Sequence, residues 1–360
     1  MLVLSFTAKT QVLKNGFESL EYYTSLSIAF GKLDSLQNIS QIPVPERYRM
    51  VYRSAVVGLD NRWSMWLRND KKQAVISIRG TVATRPSWLA NVYAAMLPAT
   101  GSLKLNDSIN FNYKLADDSR ATVHTGWLIS LGHMASGIEN HILNQYEKGV
   151  KDFIVSGHSQ GGAIAFLLTS YLHYRKKAGA LPADIQLKTY CSAAPKPGNQ
   201  FYSYDFDYIN NGGWAFNVVN AADWVPETPF SIQQFQDLNT LNPFSDVKKS
   251  LRSQKYIIRV YANTVFNRLS KATAKAAKRY NNYLGKKTGK EVRKKLTQLD
   301  HGSFSAGLNY MPAGIRIVLM PDAEYYQQFP NDPKGKLGVW VHHSFDAYQY
   351  LLKKQFNHSN

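Results

Sequence analysis

A serine between glycines is the most direct candidate for covalent chemistry in this chain. Ser159 is the centre of Gly-His-Ser-Gln-Gly, which follows the β-type residues 153–156 and precedes apolar residues at helical spacing. Such a strand, turn and helix are typical of a nucleophile elbow, whose strained backbone exposes the serine hydroxyl. Glycines at 157 and 161 leave room where strand and helix nearly collide. The alternative is an ordinary glycine-rich turn, because the five letters alone are weak evidence.

A serine nucleophile needs a base and an acid that orients this base. Asp223 follows the strand-like residues 214–219, and His342 and His343 are adjacent near the C-terminus. Serine, acid and histidine then have the chain order of α/β-hydrolases. Because neighbouring side chains point in different directions, only one of the two histidines can be the base. His301 is a further candidate, although its position beside a basic segment favours the surface. Asp223 alone is equally compatible with a turn.

Hydrogen-bond donors near the serine would stabilise a tetrahedral oxyanion. The residue after the serine usually supplies one amide, and a loop after an earlier strand supplies the other donor. Residues 73–78 have the composition of a strand and lead into Arg-Gly-Thr. Its threonine can offer both an amide and a hydroxyl, although the tripeptide alone also fits a simple turn. The oxyanion candidates are Thr81 and Gln160, and the elbow candidates are Gly157, His158 and Gly161.

The elements that must position these residues alternate along the chain. Strand-like runs are separated by helical ones, which predicts an α/β fold with a mainly parallel sheet and helices on both faces. After the serine, apolar residues at steps of three and four predict one helix. The candidate strands are residues 73–78, 153–156, 185–190, 214–219 and 315–320.

Length and composition limit the class of protein. With 360 residues, 44% of them hydrophobic, the chain can bury a large core in one or two domains. Its single cysteine, Cys191, excludes an intrachain disulfide, and no Cys/His cluster has metal-ligand spacing, so we expect neither metal nor cofactor. No apolar run approaches a membrane span, and the opening hexapeptide is too short for a signal-peptide core. We expect a cytoplasmic protein, or a secreted or periplasmic one whose export signal has been removed.

The positive charge is concentrated in one segment. Of the formal net charge of +18, residues 248–295 carry +15, with eleven Lys and five Arg against Glu291. Apolar residues from Ile258 to Tyr283 recur at steps of three and four, which predicts an amphipathic helix with a basic outer face. A basic loop and a second short helix are predicted from Lys286 to Lys295. This segment is either a solvated helical face or a dock for anionic lipid surfaces.

Several motifs in order along the chain resemble the class 3 lipases, the fungal-lipase-like branch of the α/β-hydrolases. The resemblance extends from about residue 70 to 350 and includes His343 five residues before Tyr348. It implies Ser159 as nucleophile, Asp223 as acid and His343, rather than His342, as base, with Thr81 and Gln160 as oxyanion donors. The other motifs begin at Val75 (VISIRGT), Ser87 (SWLAN), Val123 (VHTGW), Gly157 (GHSQGG), Tyr190 (YCSAAPKPGN) and Asn220 (NAADWVP).

The chain also departs from that family. Leu is more frequent where Gln160 stands, and the separation between Asp223 and His343 is enlarged by the basic segment. We expect a single α/β-hydrolase catalytic domain over residues 1–360, with a basic helical insert or cap at 245–300. The resemblance implies a serine esterase that hydrolyses acylglycerol-type esters. Phospholipase A1 and feruloyl-type esterase are alternatives within the family, and a non-catalytic lipase-like interaction protein is the alternative from another class. The basic segment contains no recognised nucleic-acid-binding module, so no nucleic-acid partner is expected.

Overall fold

The computed structural model describes residues 12–31, 42 and 45–356. The opening hexapeptide lies outside these residues. In the described part the strands are β1 (Tyr48–Arg53), β2 (Trp63–Arg68), β3 (Gln73–Ile78), β4 (Met96–Pro98), β5 (Thr100–Asn106), β6 (Ile109–Lys114), β7 (Thr122–His124), β8 (Asp152–His158), β9 (Gln186–Ser192), β10 (Gly198–Asn199), β11 (Ala215–Asn220), β12 (Tyr310–Met311) and β13 (Ile315–Leu319). The helices are α1 (Ser19–Phe30), α2 (Arg85–Val92), α3 (Thr125–Glu147), α4 (Gln160–Lys177), α5 (Gln200–Ile209), α6 (Val247–Ser250), α7 (Tyr256–Tyr280), α8 (Thr288–Arg293), α9 (Ala323–Gln328) and α10 (Phe345–Phe356).

A seven-stranded sheet in the order β1-β2-β3-β8-β9-β11-β13 forms the centre of the molecule. The pairs from β3 to β13 are parallel, whereas β1 and β2 continue the sheet in antiparallel orientation. The five predicted strands correspond to β3, β8, β9, β11 and β13 and are confirmed, with boundaries that shift by at most two residues. The parallel arrangement matters because it brings the carboxyl ends of these strands to one edge.

Helices cover both faces of this sheet, which confirms the predicted α/β-hydrolase fold class. Along β3, Ala74, Ile76 and Ile78 belong to a core shared with α3 and α4. Val75, between them, belongs to a second core shared with α1 and α10. Successive side chains of a strand point to opposite faces, so a continuous apolar run is buried from both sides. A four-stranded sheet, β12-β10-β7-β4, and a β5-β6 hairpin lie outside the main sheet.

The basic segment forms helix α7, a π-helical turn over Asn281–Lys287, and α8. The predicted loop from Lys286 onward is therefore wrong at its start, because the chain remains helical there. Glycines, which usually indicate a loop, have another use here. A Cβ on Gly285 would lie 2.9 Å from Ala95 Cβ, and one on Gly289 would lie 2.5 Å from Tyr93 Oη. Glycine thus lets this turn press against the chain that follows α2.

The apolar stripe of α7 is not covered by the rest of the chain as described. The C-terminal end of the helix is packed where Ala277 and Tyr280 join a small core with Met96 and Tyr310. Midway along the helix, the Phe266 ring contacts the Phe235 ring, with centroids 4.6 Å apart. Toward the N-terminus, Tyr261 is 71% exposed, and Ile257, Ile258, Val260 and Val265 are exposed as well. The helix itself is confirmed, but the part of its apolar face from Ile257 to Leu269 is largely exposed to solvent. None of the described helices is long and apolar enough to cross a membrane.

Candidate active site

The turn between β8 and α4 holds Ser159 in an unusual backbone conformation. Its φ is 60° and its ψ is −129°, a combination that is costly for a residue with a side chain. A Cβ on Gly157 would lie 2.3 Å from the Gly161 carbonyl carbon, and one on Gly161 would lie 2.2 Å from Ile78 O. Both positions therefore require glycine, because backbone atoms occupy the space a side chain needs. This is the geometry expected of a nucleophile elbow.

Asp223 and His343 are brought together at the same sheet edge. His343 Nδ1 lies 2.7 Å from Asp223 Oδ2, and both residues are buried. The loop after β11 supplies the aspartate, whose Oδ1 accepts a hydrogen bond from Val225 N. Tyr348 Oη donates to Asp223 Oδ2 over 2.9 Å. Three donors thus orient the carboxylate: Val225 N, Tyr348 Oη and Nδ1 of the His343 imidazole.

The other histidines that the sequence offered as bases are held elsewhere. His342 Nδ1 lies 2.7 Å from Tyr325 Oη, and its Nε2 lies 2.7 Å from Asn331 Oδ1. Both ring nitrogens of His342 are therefore committed away from Asp223. His301 Nε2 contacts Tyr93 Oη at 2.5 Å, on the side of the basic segment. Of these three, His343 is the histidine that contacts the predicted acid.

His158 connects the elbow to the loop that carries His343. Its Nε2 lies 3.1 Å from His343 O, a carbonyl that can only accept, so Nε2 carries the proton. Its Nδ1 then accepts from Ser192 Oγ at 3.0 Å, and Ser192 Oγ lies 2.7 Å from Tyr22 Oη. Burial, assisted by the neighbouring imidazole of His343, lowers the pKa of His158 well below its usual range. His158 is therefore a neutral ring in one fixed tautomer, and it hydrogen-bonds the backbone of the proposed base, His343.

The two predicted oxyanion donors are linked through a residue to which the sequence assigned no role. Asn91, on α2, donates from Nδ2 to Thr81 Oγ1 at 3.0 Å. The buried Gln160 side chain donates from Nε2 to Asn91 Oδ1 at 2.8 Å and to Ser87 O at 2.9 Å. Trp127 Nε1 adds a further donor to Asn91 Oδ1. The sequence contained Asn91 within the SWLAN motif, but only the fold reveals its partners.

An apolar cavity of about 650 Å³ opens beside these groups. Ser159, His343, Thr81 and Gln160 all line it. Among the described residues no hydrogen bond joins Ser159 Oγ to His343, which is common in the absence of substrate, because catalytic contacts tighten when substrate binds. Two residues of the basic segment, Tyr280 and Leu284, also contribute to the wall. The other apolar lining residues include Phe30, Trp88, Val92, Trp127, Trp224, Val225, Phe230, Leu337 and Trp340.

In the ranges that the structure covers, no group of three or more His, Cys, Asp or Glu could hold an ion. Cys191 is buried in the central sheet, and burial raises the pKa of its thiol well above the usual value.

The fold and the elbow define an α/β-hydrolase. Residues 75–233 match the family described as Lipase (class 3), and the predicted resemblance to class 3 lipases is thereby confirmed. The chain is 26% identical over 232 residues to secreted mono- and diacylglycerol lipase 1 of Fusarium solani. That alignment covers 62% of this chain and 61% of the relative. The chain thus spans about three fifths of the length of this curated relative.

Solved structures of fungal lipases are also similar to this chain. The Rhizomucor miehei lipase in complex with its propeptide has a TM-score of 0.41 and 23% identity, covering 58% of this chain and 62% of that one. Lipase II from Rhizopus niveus has a TM-score of 0.40 and 20% identity, covering 59% and 74% of the two chains.

Proposed function

We propose that this protein is a serine carboxylic ester hydrolase that acts on acyl esters of the acylglycerol type. The observation that carries the proposal is the His343–Asp223 contact of 2.7 Å beside a strained serine in the same apolar cavity. A buried carboxylate that fixes an imidazole next to a serine is the arrangement used in nucleophilic acyl transfer. We also propose that residues 1–360 form one catalytic domain, with the segment at 245–300 as its insert.

In this mechanism Ser159 Oγ attacks the ester carbonyl while His343 Nε2 accepts the hydroxyl proton. Asp223 keeps the proton on Nδ1 and stabilises the imidazolium that forms. The oxyanion accepts hydrogen bonds from the backbone amide of Gln160 and from the backbone amide and hydroxyl of Thr81. His343 then protonates the leaving alcohol, and an acyl-enzyme remains on Ser159. His343 then takes a proton from water as this water attacks the acyl-enzyme, and returns the proton to Ser159 Oγ as the acyl–oxygen bond breaks and the carboxylic acid is released.

The cavity favours substrates with an aliphatic acyl chain. Its wall is formed mainly by aliphatic and aromatic side chains, which gain free energy by covering a hydrocarbon chain. The Fusarium solani relative is named as a mono- and diacylglycerol lipase, which supports an acylglycerol as the leading substrate class. Phospholipids and feruloyl esters remain the alternative substrates. The same relative is named as secreted, and we propose export for this chain on that ground only.

The direct test is labelling with a fluorophosphonate, which reacts covalently with an activated serine. Wild-type protein should be labelled and should hydrolyse p-nitrophenyl esters, with a preference along an acyl-length series. Ser159→Ala should abolish labelling and lower kcat by on the order of 10⁶. Ser303→Ala, at an exposed position, is the matched control and should retain both activities. More than a tenth of wild-type turnover in Ser159→Ala would contradict the proposal, and inactive but folded wild type would favour a non-catalytic interaction protein.

We further propose that residues 248–295 bring the enzyme to anionic lipid surfaces. The supporting observation is that α7 exposes apolar side chains among its basic ones: Ile257 is 80% exposed and Tyr261 is 71% exposed. A solvated face needs charges, but it does not need exposed isoleucine and tyrosine. Apolar side chains that insert at the lipid interface and lysines that meet anionic head groups fit one surface. The segment reaches the cavity through Tyr280 and Leu284, at and just after the C-terminal end of α7, so docking would occur next to the catalytic opening.

Vesicle sedimentation tests this docking. Lys271, Lys275 and Lys278 are exposed on α7, and each Lys near an anionic surface contributes about 1 kcal/mol. Changing all three to Glu should weaken binding to anionic vesicles by at least about a hundredfold. The control changes three exposed lysines elsewhere to Glu: Lys14, Lys71 and Lys72. Wild-type binding should fall with added salt and be weak to neutral vesicles. Equal loss in both triple variants, or binding insensitive to salt, would refute docking through α7.

A further inference from the structure

A chain of buried side chains connects helix α1 to the loop that carries His343. Tyr22 Oη lies 2.7 Å from Ser192 Oγ, and Ser192 Oγ lies 3.0 Å from His158 Nδ1. His158 Nε2 lies 3.1 Å from His343 O. All four residues are buried, and Tyr22 is buried completely. Water therefore competes little for these contacts, and each hydrogen bond can hold its partners in one geometry.

The direction of every hydrogen bond in this chain follows from its last acceptor. His343 O can only accept, so the neutral His158 ring donates from Nε2 and accepts at Nδ1. Ser192 Oγ therefore gives its proton to His158 and accepts from Tyr22 Oη. Burial raises the pKa of Tyr22 above its usual value, so the phenol remains protonated and able to donate. Tyr22 thus occupies an acceptor position of Ser192 Oγ and directs the serine proton to His158.

Ser192 holds the backbone of the nucleophile as well. Its carbonyl oxygen accepts a hydrogen bond from Ser159 N over 2.9 Å. Ser192 and His158 are paired residues on the adjacent parallel strands β9 and β8. At the C-terminal end of α1, the Phe30 ring packs on the His158 ring, with centroids 4.5 Å apart. One residue of β9 therefore fixes Ser159 directly and His343 through His158, and α1 contacts this arrangement twice.

We propose that Tyr22 is a positioning residue for His343 and that it acts through Ser192 and His158. The inference rests on the proposed ester hydrolase function and extends its site to α1. Proton transfer from Ser159 Oγ to His343 Nε2 requires hydrogen-bond reach, and a misplacement of about 1 Å can cost on the order of a hundredfold in rate. Because the chain holds the backbone of the base and does not hold the substrate, its loss should lower kcat and leave KM unchanged.

Two adjacent tyrosines on α1 allow a matched experiment. Tyr22→Phe removes the donor to Ser192, and Tyr23→Phe, the control, removes a hydroxyl that accepts from Gln349 Nε2 on α10 over 2.7 Å. Tyr22→Phe should lower kcat for p-nitrophenyl butyrate about fivefold at unchanged KM, the scale of one hydrogen bond. Fluorophosphonate labelling of Ser159 should slow by the same factor. Tyr23→Phe should retain wild-type kcat and labelling, although urea denaturation should show both variants to be less stable than wild type.

Ser192→Ala tests the middle of the chain without a change in α1. It removes the donor to His158, and kcat should fall about tenfold at unchanged KM. Adding Tyr22→Phe to Ser192→Ala should cost no further activity, because Tyr22 acts through the serine hydroxyl that is already gone. Circular dichroism of each variant checks that the fold is retained.

Three results would overturn the inference. Wild-type kcat in Tyr22→Phe is the first, and wild-type kcat in Ser192→Ala counts equally where Tyr22→Phe does not fold. The second is an equal loss of kcat in Tyr22→Phe and Tyr23→Phe, because the loss would then come from weaker docking of α1. The third is full additivity of Tyr22→Phe and Ser192→Ala. Wild-type protein that is inactive toward every ester and toward the probe would instead refute the underlying ester hydrolase function, so the two failures are distinguishable.

Discussion

Asn91 Nδ2 donates a hydrogen bond to Thr81 Oγ1 over 3.0 Å. Because the amide nitrogen can only donate, it occupies an acceptor position of the threonine oxygen and leaves the hydroxyl proton for another acceptor. An oxyanion in the cavity is such an acceptor. The Gln160 side chain donates from Nε2 to Asn91 Oδ1 over 2.8 Å, and the backbone amide of Gln160 is the other proposed oxyanion donor. The two donors are thus connected through buried side chains.

Removal of the Thr81 hydroxyl should slow the chemical step. Thr81→Val retains the shape and the backbone amide, and we expect kcat to fall by roughly 10² to 10³ with little change in KM. Steady-state kinetics on a soluble p-nitrophenyl ester measures both constants. Thr81→Ser, which retains a hydroxyl, is the control and should recover most of the loss. An unchanged kcat in Thr81→Val would show that only the amide of Thr81 is used.

Asn91 and the Gln160 side chain should act as positioning residues. Asn91→Leu removes the donor to Thr81, and about a tenfold loss of kcat is expected, comparable to one hydrogen bond. Gln160→Leu removes the side-chain amide but retains the backbone amide of residue 160. It should cost less kcat, because Trp127 still donates to Asn91 Oδ1. In the Thr81→Val background the effect of Asn91→Leu on kcat should largely vanish, since the hydroxyl it orients is gone. Full additivity of the two changes would contradict this role.

The adjacent histidines should differ sharply. His343→Ala should be as damaging as loss of the serine, whereas His342→Ala should retain turnover, because His342 contacts Tyr325 and Asn331. Asp223→Asn should lower kcat by roughly 10⁴, since an amide no longer holds the correct imidazole tautomer. Kinetics should be paired with circular dichroism, because His342 is partly structural. If His342→Ala is inactive but folded, the assignment of His343 as the base is wrong.

Tyr348 should orient the acid. Its hydroxyl donates to Asp223 Oδ2 and accepts from Asn220 N, and burial raises the pKa of Tyr348 well above its usual value, so it remains a donor. In Tyr348→Phe, Asp223 loses one of its three donors and the backbone N–H of Asn220 loses its acceptor. A loss of about 1–3 kcal/mol in unfolding free energy is expected, with kcat reduced about tenfold. Urea denaturation measures the first quantity. Wild-type kcat in this variant would show that His343 and Val225 suffice to orient the carboxylate.

Stability should fall in mild acid because of buried neutral histidines. Burial lowers the pKa of His124 from 6.5 to about 3. Below pH 6.5 His124 of the unfolded chain therefore binds a proton, whereas His124 of the folded protein stays neutral until about pH 3. The stabilisation is complete above pH 6.5 and decreases by about 1.4 kcal/mol per pH unit as the pH falls through that window.

Urea denaturation at pH 7, 6 and 5 tests this dependence. His124→Asn removes the titrating group, so its unfolding free energy should depend less on pH than that of wild type. Its absolute stability should be lower at pH 7, since the Nε2 contact with Asn91 O is lost. Identical pH dependence in His124→Asn and wild type would contradict the assignment.

Much of the fold follows from local patterns. Short β-branched runs become the parallel strands because such residues fit an extended, doubly buried backbone. The glycines around Ser159 identify the elbow because no other residue fits between strand and helix at that point. The basic helix is equally evident from its period. These features depend on residues within one or two turns of each other, so the order of letters is enough to reveal them.

Contacts between distant residues are another matter. The sequence leaves His342 and His343 as neighbours of equal chemistry, and the resemblance to a family favours the second. Only the fold shows Asp223 bound to His343, across 120 residues. Likewise, the apolar stripe of α7 predicts a buried face, but nothing in the pattern reveals that Tyr261 meets solvent.

What the sequence determined by itself was the set of elements and the types of group available for chemistry: strands, an elbow, a serine, an acid and two histidines. Tertiary structure decided that His343 Nδ1 meets Asp223 Oδ2 and that the side-chain amide of Asn91 donates to Thr81 Oγ1. The physical reason is range. Backbone preferences act between neighbours in the chain, whereas hydrogen bonds and cavities depend on packing that closes loops of a hundred residues or more.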